Sequence, residues 1–342
     1  MYYAAIPLAF LSSLVIILLT MPSLVKKMRE GGMIGHDVNK RGRPGVAELG
    51  GIAAVFAFSI SLSLVVGIEK LAGVGIATGI AIEPPYLAAI SVFFIASMVG
   101  LIDDISNIKQ RVKALTILFA SLPLLLVHVA PASIGFPFGL ALSFEASYTL
   151  YLVYWLVLVP IGVTGMANAM NMSAGYNGLE SGQVLVVSLG LFIISMIQGT
   201  SEVAMIVFIA IAGCALGLFY FNKFPAKVFV GDIGTLGLGA AMAAGVVMGH
   251  IEFCAVIAII PAFYELFATL YFGGIKKKNR REACHNPVIN EDGTLSPPKG
   301  AEKYTLAYYI LSKKPMKEGR LVAVILALYA VCSAVAIVLS VV

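Results

Sequence analysis

The chain has 342 residues, of which 60% are hydrophobic and only 12% charged, with mean hydropathy +0.96 and a formal net charge of +5. Soluble domains carry about 25% charged and about 45–50% apolar residues, so a water-soluble globular protein is excluded. The four cysteines show no paired metal-ligand spacing, and Cys214, Cys254 and Cys332 sit in apolar stretches as small hydrophobes.

In chain order the apolar blocks are Ala4–Thr20, Gly51–Ile68, Leu87–Leu101, Ala114–Val129, Tyr148–Val163, Gln183–Ile197, Val203–Phe221, Leu236–Met248, Phe253–Phe272 and Leu321–Val341. Each approaches the roughly 20 residues needed to cross about 30 Å of hydrocarbon. Inside lipid every backbone donor and acceptor needs a partner, and helices supply one internally. The fold class is therefore all-α, a polytopic membrane bundle of about ten transmembrane helices forming one domain over residues 1–342. No basic residue precedes the first block and no small-residue cleavage pattern follows it, so it is expected to be a retained span. No internal repeat is visible.

Charge orients the bundle. Of the 23 Lys and Arg residues, only Lys70 falls outside the connections that follow the odd-numbered blocks. The positive-inside bias puts those connections in the cytoplasm and both termini outside. Basic residues beside anionic lipid account for the net charge, so no nucleic-acid partner is required.

The acids and amides on that face are not explained by orientation. The first connection runs Asn39-Lys40-Arg41-Gly42-Arg43-Pro44-Gly45-Val46-Ala47-Glu48, a basic stretch ending in an acid. The third block ends in Asp103-Asp104, followed by Lys109, Arg111 and Lys113. Adjacent carboxylates at a membrane boundary repel and are costly to desolvate. They read either as a solvated helix end or as a site for a cation, with basic groups close by for an anionic substrate.

The fifth block leads into Asn168-Ala169-Met170-Asn171-Met172-Ser173-Ala174-Gly175-Tyr176-Asn177-Gly178-Leu179-Glu180. Asn168 and Asn171 share a helix face, and Asn177-Gly178 signals a turn. Before the eighth block comes Val228-Phe229-Val230-Gly231-Asp232, where Asp232 reads as a helix cap or as a metal ligand. Glu265 is an acid inside the ninth block, either functional or inward-facing and hydrogen-bonded. The last cytoplasmic connection, about residues 276–320, is long enough to be more than a connector. It contains Arg281 and His285.

Three of these motifs in this order resemble the polyprenyl-phosphate N-acetylhexosamine-1-phosphate transferase family, and within it the UDP-GlcNAc:dolichyl-phosphate branch. The bacterial phospho-MurNAc-pentapeptide translocases look like more distant relatives. The resemblance implies that a lipid phosphate attacks the sugar-linked phosphate of a UDP-sugar, giving a sugar–diphospho–polyprenol and UMP. Its partners are the UDP-sugar and the polyprenyl-phosphate lipid, and its cofactor is Mg²⁺, with Mn²⁺ as a substitute; a homodimer is compatible with it. By position, Asn171 and Asp232 match the metal ligands. Asp103 and Asp104 match the essential acidic pair, with Asp103 a candidate for handling the lipid phosphate, and Lys113 a basic residue near the phosphates. Glu48 and Asn168 belong to the substrate site, as do Asn177, Gly178, Leu179 and Phe229 of the nucleotide region.

The family's eukaryotic branch carries Arg-His-Arg-x-Pro-Arg in the last loop. Here the stretch reads Arg280-Arg281-Glu282-Ala283-Cys284-His285-Asn286-Pro287, with Arg281 and His285 as the substitutes. Donor choice is therefore left open to another N-acetylhexosamine or a sugar–peptide nucleotide. A transporter, which would want polar residues near the midplane, has only Glu265 in its favour.

Overall fold

The computed structural model describes residues 2–73, 83–106, 108–127, 131–278, 280–284 and 286–342. Its helices are α1 (Tyr2–Glu30), α2 (Gly51–Leu71), α3 (Glu83–Ser106), α4 (Gln110–Leu118), α5 (Leu122–Val127), α6 (Tyr148–Val153), α7 (Val159–Met172) and α8 (Leu179–Gln198). They continue as α9 (Glu202–Asn222), α10 (Gly231–Gly249), α11 (Glu252–Ala258), α12 (Ile260–Ala268), α13 (Arg280–Cys284), α14 (Leu306–Lys313) and α15 (Glu318–Leu339). A π-helical turn at Tyr154–Leu158 joins α6 to α7, and another at Thr269–Ile275 extends α12. Among the described residues there are three two-stranded antiparallel hairpins: β1 (Ile34–His36) with β2 (Gly45–Ala47), β3 (Ser133–Gly135) with β4 (Ala141–Ser143), and β5 (Val288–Ile289) with β6 (Leu295–Ser296).

Over its described residues each apolar block is helical, but two of the ten are not straight full-length spans. Among the described residues, eight helices are long and apolar enough to cross a membrane, or up to nine if the bent pair α11–α12 is one span. That pair turns by 71°, and Pro261, which cannot donate a hydrogen bond back to the preceding turn, follows the break at Ile259. The block expected at Ala114–Val129 forms only a shorter apolar helix, Val112–Leu125. A 3₁₀ turn at Phe119–Ser121 interrupts it just before Pro123, and its expected end at Val129 lies outside the described residues.

The helices also run further than hydropathy alone suggests. α3 continues through Asp103 and Asp104, α7 through Asn168 and Asn171, and α10 begins early enough to include Asp232. Apolarity stops where polar side chains start, whereas the backbone ladder does not.

The innermost span is α10, packed against α3, α7, α9 and α2. Its sequence, Gly231-Asp232-Ile233-Gly234-Thr235-Leu236-Gly237-Leu238-Gly239, keeps small residues on several faces, so neighbouring backbones approach closely. At Gly51 of α2, a Cβ would lie 2.4 Å from the Gly234 nitrogen. Backbone pairing then attaches the first connection to the start of α10: Ala47 bridges Val228 in parallel, and the Phe229 N–H donates to the Ala47 carbonyl at 2.8 Å. The connections after the odd-numbered blocks meet at this end of the bundle. The β3–β4 hairpin lies by the chain's C-terminus instead, the Phe138 N–H donating to the Val342 carbonyl at 2.7 Å.

Candidate active site

Three spans and the shorter helix bring one cluster together. The Lys113 ammonium is buried and donates to Asp103 Oδ2 at 2.9 Å, to Asn171 Oδ1 at 3.2 Å and to Asp232 Oδ2. The Asn171 amide donates to Asp232 Oδ1 at 2.7 Å and to Thr235 Oγ1 at 2.9 Å. Lys113 comes from α4, Asp103 from α3, Asn171 from α7, and Asp232 from the first turn of α10. The two carboxylates and the amide oxygen give all three N–H groups of Lys113 an acceptor, which compensates the burial of the ammonium.

Asp104 has a different task from its neighbour. Its two carboxylate oxygens accept the backbone N–H groups of Asp232 at 2.9 Å and Ile233 at 3.0 Å. It therefore caps α10 from a different helix, where the positive helix end favours an anion. Close approach makes this reachable: a Cβ at Gly100 would lie 2.3 Å from the Asp232 carbonyl oxygen, and one at Gly231, whose φ is +76°, would lie 2.8 Å from Asp104 Oδ2. Asp104 thus orients the backbone that presents Asp232.

The residues matched to the nucleotide region are held by neighbours. The Asn177 side chain is buried and donates to Asp37 Oδ2 at 3.0 Å, while its backbone N–H donates to Glu318 Oε1 at 2.8 Å. The Gly178 N–H, at a φ of +89°, donates to Asn222 Oδ1 at 3.2 Å, and Leu179 is buried behind it. Phe229 is half-buried, its carbonyl accepting the Gly50 N–H at 2.9 Å. The Glu48 carboxylate lies against Gly35. Asn168 turns back to its own helix, its amide donating to the Thr164 carbonyl at 2.8 Å. It is not joined to the lysine cluster by any hydrogen bond among the described residues. His285 and the Arg281 side chain lie outside the described residues, while the Arg281 backbone belongs to α13.

Glu265 proves to be an anchor. Its Oε2 accepts Arg280 Nη2 at 2.6 Å and its Oε1 accepts the Leu306 N–H at 2.8 Å, while Arg280 Nε donates to the Tyr304 carbonyl at 2.7 Å. One intramembrane acid thereby fastens the last loop to α12 at two points, Arg280 and Leu306.

Sequence reasoning missed Asp37, Glu318, Asn222 and Thr235 as parts of this end of the bundle. Glu318 carried a usable signal, being an acid at the first position of an apolar span in an otherwise basic stretch. Thr235, one turn after Asp232 on α10, shares its face. A cavity of ≈ 500 Å³ adjoins Glu318 and is bordered by Lys40, Arg41, Phe224, Lys317 and Arg320.

The donor set suits a hard cation. Among the described residues no group of three or more His, Cys, Asp or Glu side chains is placed to hold a metal, so an all-protein metal cage is not built here. Asp103, Asp232 and the Asn171 carbonyl are oxygen donors around a point where a cation, the Lys113 ammonium, already sits. Asp103 Oδ1 is buried without a hydrogen-bond partner. Mg²⁺ binds with one or two protein oxygens, retained waters and substrate phosphates, which this partly open oxygen set fits.

Fold and centre together define a multi-pass membrane protein whose polar groups gather at one end of a helix bundle. The profile of glycosyl transferase family 4 matches residues 86–250, a stretch that includes Asp103, Lys113, Asn171 and Asp232. A Methanocaldococcus jannaschii protein provisionally named a glycosyltransferase is 30% identical over 88% of this chain and 86% of its own length. A Saccharolobus solfataricus protein, provisionally named UDP-N-acetylglucosamine–dolichyl-phosphate N-acetylglucosaminephosphotransferase, is 27% identical over 98% of this chain and 97% of its own. The phospho-N-acetylmuramoyl-pentapeptide-transferase of Streptococcus mutans is 28% identical over 69% of this chain and 70% of its own. The chain belongs to glycosyl transferase family 4, the polyprenyl-phosphate N-acetylhexosamine-1-phosphate transferases.

Proposed function

We propose that the protein transfers GlcNAc-1-phosphate from UDP-GlcNAc to dolichyl phosphate at the cytoplasmic membrane surface, releasing UMP and starting a lipid-linked glycan. A phosphate oxygen of the lipid forms a bond to the sugar-linked phosphorus, and the bond from that phosphorus to the UMP oxygen breaks. Such a transfer needs alignment and charge neutralisation more than covalent help from the protein. The observation that carries the reading is the convergence of Lys113 with Asp103, Asn171 and Asp232, at the same end as the Asn177–Leu179 loop.

Lys113 supplies positive charge where phosphate oxygens gather. Asp103 holds that ammonium in place and Asn171 orients Asp232. The lipid phosphate arrives already anionic, so the site positions it rather than deprotonating it. Asn171 and Asp232 would hold Mg²⁺, with Asp103 beside them; when bound, the ion supplies charge stabilisation to diphosphate oxygens. The polar groups gather at one end rather than at mid-membrane, and Glu265 is committed to anchoring the last loop. Both points favour a transferase over a carrier.

Donor, lipid and sidedness are tested together. Purified protein is given UDP-GlcNAc, UDP-GalNAc or a UDP-sugar–peptide, each with dolichyl or undecaprenyl phosphate. Fastest turnover with UDP-GlcNAc and dolichyl phosphate is expected, and preference for the peptide-bearing donor overturns the GlcNAc assignment. Ser296→Cys in a cysteine-free background should react with an impermeant maleimide only from the cytoplasmic side.

A further inference from the structure

The chain between α7 and α8, residues 173–178, is gripped from several directions by side chains distant in sequence. The Tyr329 hydroxyl of α15 donates to Ser173 Oγ at 3.2 Å, and the Asn39 amide donates to the Gly175 carbonyl at 2.7 Å. Burial pushes the Tyr176 phenol well above the usual tyrosine range, and the nearby Tyr308, Glu265, Cys284 and Glu318 push it the same way. The segment also meets the first turn of α15, where Glu318 accepts the Asn177 N–H.

Glu318 is where the grip closes. The residue is only 4% exposed. Its Oε1 accepts the Asn177 backbone N–H at 2.8 Å and stands 3.5 Å from the Asn39 amide. Its Oε2 lies 3.5 Å from Lys40 Nζ, which also pairs with Asp37. Asp37 in turn accepts the Asn177 amide. One carboxylate thus links α15, the first connection and the loop that ends in Asn177-Gly178-Leu179. A buried carboxylate is costly unless paired and hydrogen-bonded, and α15 would span a membrane equally well with a neutral residue here. An acid in a first helical turn is ordinary, but this one is buried and gives its Oε1 to the Asn177 N–H instead of to its own helix end.

We propose that Glu318 is a positioning residue for the donor: it fixes the Asn177–Leu179 loop in the conformation that takes the nucleotide, while touching neither the reacting phosphates nor the lipid. The proposal rests on the nucleotide reading of that loop given above. It separates the two substrates, because nothing in this network reaches Lys113, Asp103 or Asp232 by a hydrogen bond among the described residues.

The test compares wild type, Glu318→Ala and Glu318→Gln in mild detergent. Initial rates of UMP release are followed with the donor varied at saturating lipid phosphate, and then with the lipid varied at saturating donor. Binding of UDP alone is read by isothermal calorimetry. Loss of a hydrogen bond to a charged acceptor corresponds to about 10-fold or more. Glu318→Ala should therefore raise donor KM and UDP Kd by at least about 10-fold while moving kcat and lipid KM by less than about 3-fold. Glu318→Gln keeps an acceptor for the Asn177 N–H, so its donor KM should return to within about 3-fold of wild type. Should the alanine variant fail to fold, Glu318→Met, close in volume but with no acceptor for the Asn177 N–H, carries the same test, and its donor KM should rise at least about 10-fold. Donor KM and UDP Kd unmoved in Glu318→Ala, or kcat and both KM values moving alike, overturns the positioning role. Wild type that neither binds UDP nor releases UMP overturns the transferase reading instead, and the positioning role with it.

Discussion

Replacing Asp104 by Asn separates the two members of the acidic pair. In the structure both Asp104 oxygens accept backbone N–H groups of α10, at 2.9 and 3.0 Å. An asparagine keeps one acceptor but turns an NH₂ toward the second N–H, and it removes the charge that complements the helix end. A hydrogen bond to a charged acceptor contributes about 1.5–3 kcal/mol, and the charge–dipole interaction about 0.3–1 kcal/mol. A loss of about 2–4 kcal/mol follows, which for a chain of this size lowers Tm by about 3–6 °C. The same change loosens the turn that carries Asp232, and a shift of about 1 Å at a reacting centre costs about 100-fold in rate. Asp104→Asn is therefore expected to lose thermal stability and kcat together, measured by differential scanning fluorimetry and UMP release on the same preparation. An Asp104→Asn protein that keeps the wild-type Tm yet loses all turnover would place Asp104 on the substrate and refute the capping role.

Lys113→Met should lower kcat by about 100-fold or more, because it removes a pre-placed positive charge from the reacting phosphates; single-turnover assays at saturating substrates check it. Gly100→Ala should destabilise by about 1–3 kcal/mol, since its Cβ would lie 2.3 Å from the Asp232 carbonyl, and kcat should fall with Tm in a thermal scan. Arg280→Met leaves the buried Glu265 carboxylate without its cation, at a cost of about 3–5 kcal/mol. Limited trypsin digestion should then cut faster at Lys276–Lys278 than in wild type.

Much of this molecule was legible in the sequence because a bilayer imposes a coarse grammar on composition. Apolar blocks marked the helices, and the basic residues marked the end of the bundle where the site lies. Asp103, Lys113, Asn171 and Asp232, dispersed along 130 positions of chain, were picked out by residue type and order, and the structure joins them by hydrogen bonds. What the pattern could not show was division of labour. Asp103 and Asp104 are chemically identical neighbours, yet helical rotation aims one at a lysine and the other at a helix end. Asn177-Gly178 read as a turn and, by resemblance, as part of the nucleotide region; that the Asn177 amide is held by Asp37, 140 positions earlier, left no mark in the local pattern. Glu318 escaped notice because an acid at a helix start has an ordinary capping explanation; its partners are more than a hundred residues away in sequence. The two broken blocks escaped for a related reason, since hydropathy averages do not register what Pro123 and Pro261 do to a backbone.

The central claim is transfer of a sugar phosphate between two phosphate-bearing substrates at this cluster. Its most direct test is UMP release by the purified protein from UDP-GlcNAc, with and without dolichyl phosphate, in Mg²⁺ and then in EDTA. UMP formed only when lipid and Mg²⁺ are both present, and lost in Asp232→Asn, is the predicted result. UMP formed at equal rates without lipid, or undiminished turnover in Asp232→Asn, would contradict it.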